Sequence, residues 1–311
     1  MTTVKRLAVL GGDERQIAMS RALAEYGYTV TVWGLGRCER RLCEARVCKS
    51  WQEAIEEAEA VILPLPASAD GVRVHCPLQE TDVSLRLSVL SDAIAGRILL
   101  GGRISEAIRC LAEQKGICVI DYYESETLQL KNALPTAEGA LAIAMRELPV
   151  TLSGVRAGVV GYGRIGSLLA QKLQALGAEV TVYARRREPL TVASLQHHRT
   201  GMLWCDPFRI QPPFGEQRVI FNTVPHRIFT KEVLETLPKD CVLIDLASAP
   251  GGIDHNAARA LGICSVWGTA LPGKCAPESA GIILAQTLTE LLEELASNRL
   301  ADDLTDDRKD G

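Results

Sequence analysis

Residues 159–166 read Val-Val-Gly-Tyr-Gly-Arg-Ile-Gly, after an apolar run and at the head of an apolar-periodic stretch from Ile165 to Leu176. No other feature constrains the chain as much. Gly161, Gly163 and Gly166 fill the G-x-G-x-x-G template of a strand–turn–helix unit that takes a dinucleotide. Gly161 makes the tight turn, Gly163 lets the backbone approach a pyrophosphate, and Gly166 lets helix and strand pack closely. The pyrophosphate then lies on the unpaired N–H groups and positive dipole end of the helix. Tyr162, Arg164 and Ile165 complete the candidate cofactor contacts of this loop.

The next strand of such a unit ordinarily ends in Asp or Glu, which accepts hydrogen bonds from a ribose 2′-hydroxyl. Here the expected strand, Glu179–Tyr183, ends in Ala184, Arg185, Arg186 and Arg187. A carboxylate there repels a 2′-phosphate, whereas guanidinium groups bind it through charge-assisted hydrogen bonds. The expected cofactor is therefore NADP(H) rather than NAD(H). Asn222-Thr223-Val224-Pro225 follows a later strand, where such folds place the nicotinamide ribose. Leu246, Ala247 and Ser248, with Gly251 and Gly252, follow the next strand and are expected in the same crevice.

The rest of the chain repeats the pattern. Expected strands at Arg6–Leu10, Thr29–Trp33, Ala60–Leu65, Arg97–Leu100 and Cys118–Tyr122 alternate with helical stretches at Arg15–Glu25, Trp51–Ala58, Val83–Leu90 and Ile104–Lys115. Alternation of this kind implies a parallel sheet with right-handed crossovers. The fold class is α/β: two Rossmann-like doubly wound parallel-sheet domains with a cleft between them. Residues 1–130 form the expected substrate domain, whose first turn, Gly11 to Gln16, lacks the full glycine spacing and is expected to hold something other than the dinucleotide. Residues 131–150 are a linking helix opened by Pro135, and 151–276 the NADP domain, with strands at Val219–Asn222, Val242–Leu246 and Ser265–Trp267. Glu188–Gln217 reads as mostly loop. Residues 277–298 are a helix returning to the first domain, and the charged residues 299–311 read as a disordered tail.

Composition narrows the class further. Apolar residues make up 47% and aromatic residues 5% of the 311, so the core is expected to be built from Val, Leu, Ile and Ala. A net charge of −4 argues against nucleic acid or an anionic membrane as partner. With no apolar run of secretory or membrane-spanning length, the expected location is cytoplasmic. The ten cysteines, among them Cys38, Cys43, Cys48 and Cys205, show no C-x-x-C and no zinc-site spacing, so no metal is expected and they read as buried reduced thiols.

Four further stretches carry a resemblance: Gly11-Gly-Asp-Glu-Arg-Gln16, Asn132-Ala-Leu-Pro-Thr-Ala-Glu-Gly139, Leu246-Ala-Ser-Ala-Pro-Gly-Gly-Ile-Asp254 and Leu271-Pro-Gly-Lys-Cys-Ala-Pro-Glu-Ser-Ala-Gly281. With the Gly161–Gly166 loop they resemble, in order and over nearly the whole chain, the family of the dipicolinate synthase A subunit, found in endospore-forming bacteria. The resemblance implies oxidation of a dihydrodipicolinate-type intermediate of the lysine pathway to dipicolinate (pyridine-2,6-dicarboxylate), with NADP⁺ as hydride acceptor. It also implies a partner, the flavoprotein-like B subunit, and work in the mother cell of a sporulating bacterium; homo-oligomerisation is left open.

Such an oxidation needs two carboxylates held and the ring oriented against the nicotinamide. Arg15, at the head of the first helix, is the first candidate to hold a carboxylate, against the reading of a surface arginine. Asn132, Thr136 and Glu138 form a second set, with Thr136 and early helix N–H groups for a carboxylate. Glu138 is either a general base or a helix N-terminal acid favoured by the dipole. Lys274 is placed to meet an anion. His226, His197 and His198 carry no expected role, and His255 does not sit as a catalytic histidine should. The competing readings are a two-domain 2-hydroxyacid or alanine dehydrogenase, and an NADP-binding subunit without catalysis of its own.

Overall fold

Uninterrupted apolar runs of four or five residues can be buried on both faces at once, which is what a parallel sheet between two helical layers requires. In the computed structural model, which describes residues 4–36, 41–79, 84–203 and 214–306 with side chains as far as 298, the chain divides into two units. One comprises residues 1–131 and 277–311, the other residues 132–276.

The first unit builds β1 (Arg6–Leu10), α1 (Glu14–Glu25), β2 (Thr29–Trp33), β3 (Arg46–Val47), α2 (Trp51–Ile55), β4 (Ala60–Ile62), α3 (Leu87–Ala93), β5 (Ile98–Gly101), α4 (Glu106–Glu113) and β6 (Cys118–Asp121). The six parallel strands lie in the order β3-β2-β1-β4-β5-β6. That is the dinucleotide-fold order, with its switch point between β1 and β4. Strand alternation sorts the core: Leu7, Val9, Val30, Val32 and Ile62 face one helical layer. Ala8, Leu10, Val61, Leu63 and Leu99 face the other, against α2, α3 and α4.

Helix α5 (Glu126–Glu147) crosses the boundary between the units. The second unit continues with β7 (Arg156–Val160), α6 (Arg164–Ala175), β8 (Glu179–Ala184), α7 (Arg187–Leu195), β9 (Arg199–Met202), β10 (Val219–Asn222), α8 (Lys231–Glu235), β11 (Val242–Asp245), α9 (His255–Ala260), β12 (Cys264–Trp267) and α10 (Leu271–Cys275). Its sheet, β12-β11-β10-β7-β8-β9, repeats the same topology. Ala137, Ala140 and Ala144 of α5 pack with Leu169 and Leu173 of α6 against Val159, Val182 and Phe221. Chain order ends with α11 (Pro277–Asp306), which belongs to the first unit.

Several expectations are corrected. Pro135 does not open a helix but lies inside α5. Proline has no N–H to give the carbonyl of Lys131, yet Leu128 in one core and Ala133, Ala137 and Ala140 nearby are buried, and packing carries the helix through the break. The stretch expected to be loop after Glu188 contains α7 and β9, because Ala193 is buried on the core and β9 pairs with β8. Residues 204–213 of that stretch, with Cys205, lie outside the described residues, as do Cys38, Val83 and 307–311. The expected tail from 299 is instead a continuation of α11 to Asp306. Not all thiols are buried: Cys43, Cys110, Cys264 and Cys275 are exposed, while Cys48 and Cys241 are buried, and all six are free.

The seam of the first unit is α1 against α11. A Cβ added at Gly281 would lie 2.4 Å from the Arg15 carbonyl oxygen and 2.5 Å from the Ala18 Cβ. Arg21 and Glu278 pair across the same seam, and Leu284, Ala285, Leu288 and Leu292 complete the layer. Gly281→Val is expected to destabilise this unit by about 1–3 kcal/mol, the scale of overpacking. The check is the thermal unfolding midpoint by circular dichroism; an unchanged midpoint would show that the two helices tolerate a wider spacing.

Candidate functional site

Two strand–turn–helix loops sit at equivalent places in the two sheets, and they differ in what their backbone donors do. In the second unit, Gly161 (φ +92°) donates its N–H to the Tyr183 carbonyl at 2.8 Å and turns the chain from β7 into α6. A side chain there would meet Thr223 Oγ1 at 2.3 Å, and one at Gly166 would meet the Gly161 carbonyl oxygen at 2.2 Å. Gly163 is the N-cap of α6 and makes no side-chain cap, and a Cβ added to it would have nothing within 4 Å. The first turn carries no acid. The N–H groups of Ile165 and Gly166 there have no intrahelical acceptor and receive no side-chain cap from Gly163, as a pyrophosphate site needs.

The equivalent turn of the first unit is closed. Gly11 and Gly12 donate to the carbonyls of Trp33 and His75 at 2.7 and 2.8 Å. Asp13 caps α1 and forms a capping box with Gln16, whose Oε1 accepts from the Asp13 N–H at 2.9 Å. Arg15 is 7% exposed. Its Nε and Nη2 donate to the Asp13 carboxylate at 2.9 and 2.8 Å, and Nη2 also reaches the Leu65 carbonyl at 2.5 Å. Burial pushes the Asp13 carboxyl up, but the hydrogen bonds and charge of Arg15 outweigh it and hold the group below its ordinary value. At this turn the Asp13 carboxylate and the backbone donors of Gly11, Gly12, Asp13 and Arg15 are engaged within the chain.

Beside the open loop, β8 ends in buried Ala184, and Arg185, Arg186 and Arg187 are exposed with no ion pair to a described residue. A cavity of about 460 Å³ lies here, lined by Tyr162, Gly163, Ser167, Gln171, Arg186 and Gln196, with Glu188 on its wall. That volume suits a small-molecule site. Gln196 anchors the loop, since its Oε1 accepts from the Tyr162 hydroxyl at 2.5 Å and from Gln171 Nε2 at 3.2 Å. Burial pushes the Tyr162 phenol up. Behind it, His198 is 5% exposed, lies edge-on to Tyr162 and is held below its ordinary value by burial, then by the charge of His197.

At the ends of β10 and β11 a buried carboxylate organises the loops. Asp245 accepts from Asn222 Nδ2 at 2.8 Å and from the N–H groups of Ala247, Gly252 and Ile253 at 3.1, 2.8 and 3.1 Å. Asn222 also grips both backbone polar groups of Val224, and Thr223 donates to the Val160 carbonyl at 2.9 Å. Asn222 and Thr223 therefore shape the loop from inside, Val224 is half-buried against the core, and Pro225 is exposed. Leu246 and Ala247 are buried, and Ser248 is exposed. Asp245 does not stand out in the sequence, because an acid ending a buried strand looks like the polar end of a run. The signal is the Gly-Gly after it: a Cβ at Gly252 would lie 2.3 Å from Asn222 Nδ2.

The remaining candidates are scattered. Thr136 is well inside α5 and donates to the Asn132 carbonyl at 2.7 Å, so neither meets free helix N–H groups. Glu138 is no helix N-terminal acid: it is exposed and pairs with Lys172 at 3.0 Å, a pair worth about 0–1 kcal/mol. Lys274 is exposed, with Thr269 Oγ1 at 3.5 Å. His255 places Nδ1 by Ser265 Oγ at 3.0 Å, stacks on Trp267, and has Nε2 3.8 Å from Asp245. Among the described residues no His/Cys/Asp/Glu group could hold a metal ion, and no helix is long and apolar enough to cross a membrane.

Comparison with known proteins adds names to this geometry. Residues 6–123 match the N-terminal domain of the dipicolinate synthase A subunit. Residues 128–258 match the NAD binding domain of the D-isomer specific 2-hydroxyacid dehydrogenases. The dipicolinate synthase A subunit of Bacillus subtilis (strain 168) is 28% identical over 295 residues, covering 95% of this chain and 98% of that protein. The crystal structure of the Bacillus subtilis protein superposes with a TM-score of 0.82 at 28% identity, covering 96% of this chain and 99% of that one. That of the A subunit from Bacillus halodurans gives 0.81 at 26%, covering 94% and 99%. The resemblance read from the motifs thus holds over nearly the whole chain, and the second unit is a nicotinamide-dinucleotide-binding domain of the oxidoreductase kind.

The two central glycines are expected to respond differently to one methyl group. Gly163→Ala should leave thermal stability unchanged and weaken dinucleotide binding by roughly tenfold or more, about 1.4 kcal/mol. Gly161→Ala should lower stability itself, because it combines a positive φ with the Thr223 clash. Calorimetric titration with NADP⁺ beside thermal melts separates the two; equal behaviour would contradict the assignment of open space at Gly163.

Proposed function

From its likeness to the dipicolinate synthase A subunit, we propose that this chain oxidises a dihydrodipicolinate-type intermediate to dipicolinate with NADP⁺, as one component of a synthase. The observation that carries the cofactor half is the uncapped α6 turn beside a strand end bearing Arg185 and Arg186 and no acid. The residues present fit NADP: Gly161, Gly163 and Gly166 leave room for a pyrophosphate, with Tyr162, Arg164 and Ile165 around it. Arg185 and Arg186 receive a 2′-phosphate through charge-assisted hydrogen bonds, and the small Ala184 before them leaves room at the end of β8. When bound, the nicotinamide accepts the hydride that leaves the substrate ring. Val224, Pro225 and Ser248 line the loops that orient it, and Asn222, Thr223, Leu246 and Ala247 hold those loops in shape, with Asp245 as their common anchor.

For the substrate half, Arg15 acts through Nη1, the one nitrogen of its guanidinium that neither Asp13 nor Leu65 engages. Asn132, Thr136, Glu138 and Lys274 are secondary candidates. A second reading draws on the same atoms. Arg15 is tied to Asp13 and Glu138 to Lys172, which favours a partner, such as a flavoprotein-like B subunit, supplying the group that takes the ring proton. Sporulation in the mother cell is the setting that the dipicolinate reading entails.

The test is NADP⁺ reduction on dihydrodipicolinate generated in situ, first with the chain alone and then with its partner. Turnover by the chain alone supports a complete site, turnover only with the partner supports the second reading, and none with either sinks the substrate assignment. Arg185→Asp is expected to weaken NADP⁺ by roughly tenfold or more while sparing NAD⁺, since it turns attraction to the 2′-phosphate into repulsion. Equal loss of both would remove Arg185 from the 2′-phosphate site.

A further inference from the structure

The cavity beside the dinucleotide loop carries opposite charges on its wall. Gly163, the N-cap of α6, and Arg186, the N-cap of α7, both line it, and so does Glu188 in the first turn of α7. Among the described residues that line it, Glu188 is the one acid and Arg186 the one base. They do not neutralise each other. Side chains two residues apart do not face each other on a helix, and neither Arg186 nor Glu188 forms an ion pair with a described residue. An acid in a first turn gains from the helix dipole wherever it points. That accounts for a carboxylate on α7, but not for one on the wall of a cavity that an uncapped helix start and a guanidinium share.

The covalent structure of a dinucleotide fixes what lies between those groups. In NADP⁺ the adenosine ribose carries the pyrophosphate on its 5′ oxygen and the third phosphate on its 2′ oxygen. With the pyrophosphate on the turn at Gly163 and the 2′-phosphate on Arg186, that ribose occupies the cavity of about 460 Å³ whose wall includes Glu188. The other oxygens of the wall are already committed. Gln196 Oε1 accepts from the Tyr162 hydroxyl at 2.5 Å and from Gln171 Nε2 at 3.2 Å. The Ser167 hydroxyl donates to the Gly163 carbonyl at 2.9 Å. Glu188 remains as an acceptor without a partner among the described residues. An ionised carboxylate only accepts hydrogen bonds, so it favours a ribose hydroxyl and opposes a phosphate at the same position.

We propose that Glu188 is a second cofactor determinant, accepting a hydrogen bond from the ribose 2′-hydroxyl of NAD⁺ and opposing the 2′-phosphate of NADP⁺, so that this site takes both dinucleotides. The proposal rests on the reading of the α6 turn as the dinucleotide site with Arg185 and Arg186 at the 2′-phosphate. Specificity is a difference of two affinities, and here residues of opposite charge act on the same ribose position. Their balance sets the preference, not merely the lack of an acid at the end of β8.

The experiment is calorimetric titration of the full chain, parent and E188Q, with NADP⁺ and NAD⁺. Two fragments without nicotinamide, adenosine 2′,5′-bisphosphate and adenosine 5′-monophosphate, are titrated beside them, at low and at high salt. E188Q keeps the size of the side chain and removes its charge. It is expected to tighten NADP⁺ and the bisphosphate by roughly threefold to tenfold and to weaken NAD⁺ and the monophosphate. The tightening should shrink as salt rises, because it is a charge effect at an exposed residue. If the parent binds NADP⁺ but not NAD⁺, or if the ratio of NADP⁺ to NAD⁺ affinity does not rise in E188Q, the role of Glu188 is overturned and the cofactor reading stands. A parent that binds neither dinucleotide sinks the cofactor reading itself, and the role of Glu188 with it.

Discussion

Backbone N–H groups at the start of a helix have no intrahelical acceptor and must be given one. Which acceptor they receive divides this protein into its two roles. In the first unit Asp13 and Gln16 provide it from within the chain, and Arg15 neutralises the carboxylate that does so. In the second unit Gly163 provides none. The same strand order and the same turn therefore yield one sealed corner and one open to a pyrophosphate. The difference is a few side-chain atoms, because a buried donor left without a partner costs about as much as a lost hydrogen bond.

A second constraint supports the open corner. The loops after β10 and β11 share only an isolated bridge between Phe229 and Ile253, so other backbone donors there need another acceptor. Asp245, with no exposed surface, takes three of them and the Asn222 amide besides. Charge-assisted bonds of this kind are stronger than neutral ones, which holds two adjacent loops in one shape. The residues left facing outward there are accordingly not those with the most polar side chains. Asn222 and Thr223 are occupied within the fold, and the outer surface falls to Pro225 and Ser248.

Much of this is legible in the sequence. The glycine loop, the basic end of β8 and the strand–helix alternation are local patterns, and local patterns survive into the fold because each is enforced by sterics or periodicity within a few residues. The misreadings share a cause. Pro135 reads as a helix start because proline breaks a helix in isolation, but burial of the alanine face on both sides of it outweighs one missing hydrogen bond. Glu138 reads as a cap or a base for the same reason, and its partner, Lys172, lies on another helix. The segment after Glu188 has weak periodicity, and it becomes α7 and β9 through pairing with β8 and burial of Ala193 rather than through its own preferences.

The sequence by itself determined that there are two doubly wound sheets and that one carries the dinucleotide loop, since buried parallel strands demand continuous apolar runs and a close-approach turn demands glycine. Only the tertiary structure decided which polar groups are free. Arg15 is drawn onto Asp13 beside it and onto Leu65 from another segment, and Asp245 onto three donors that follow it and the Asn222 amide of the neighbouring strand. A side chain's availability depends on which other groups come within hydrogen-bond reach, and no spacing along a sequence reports that.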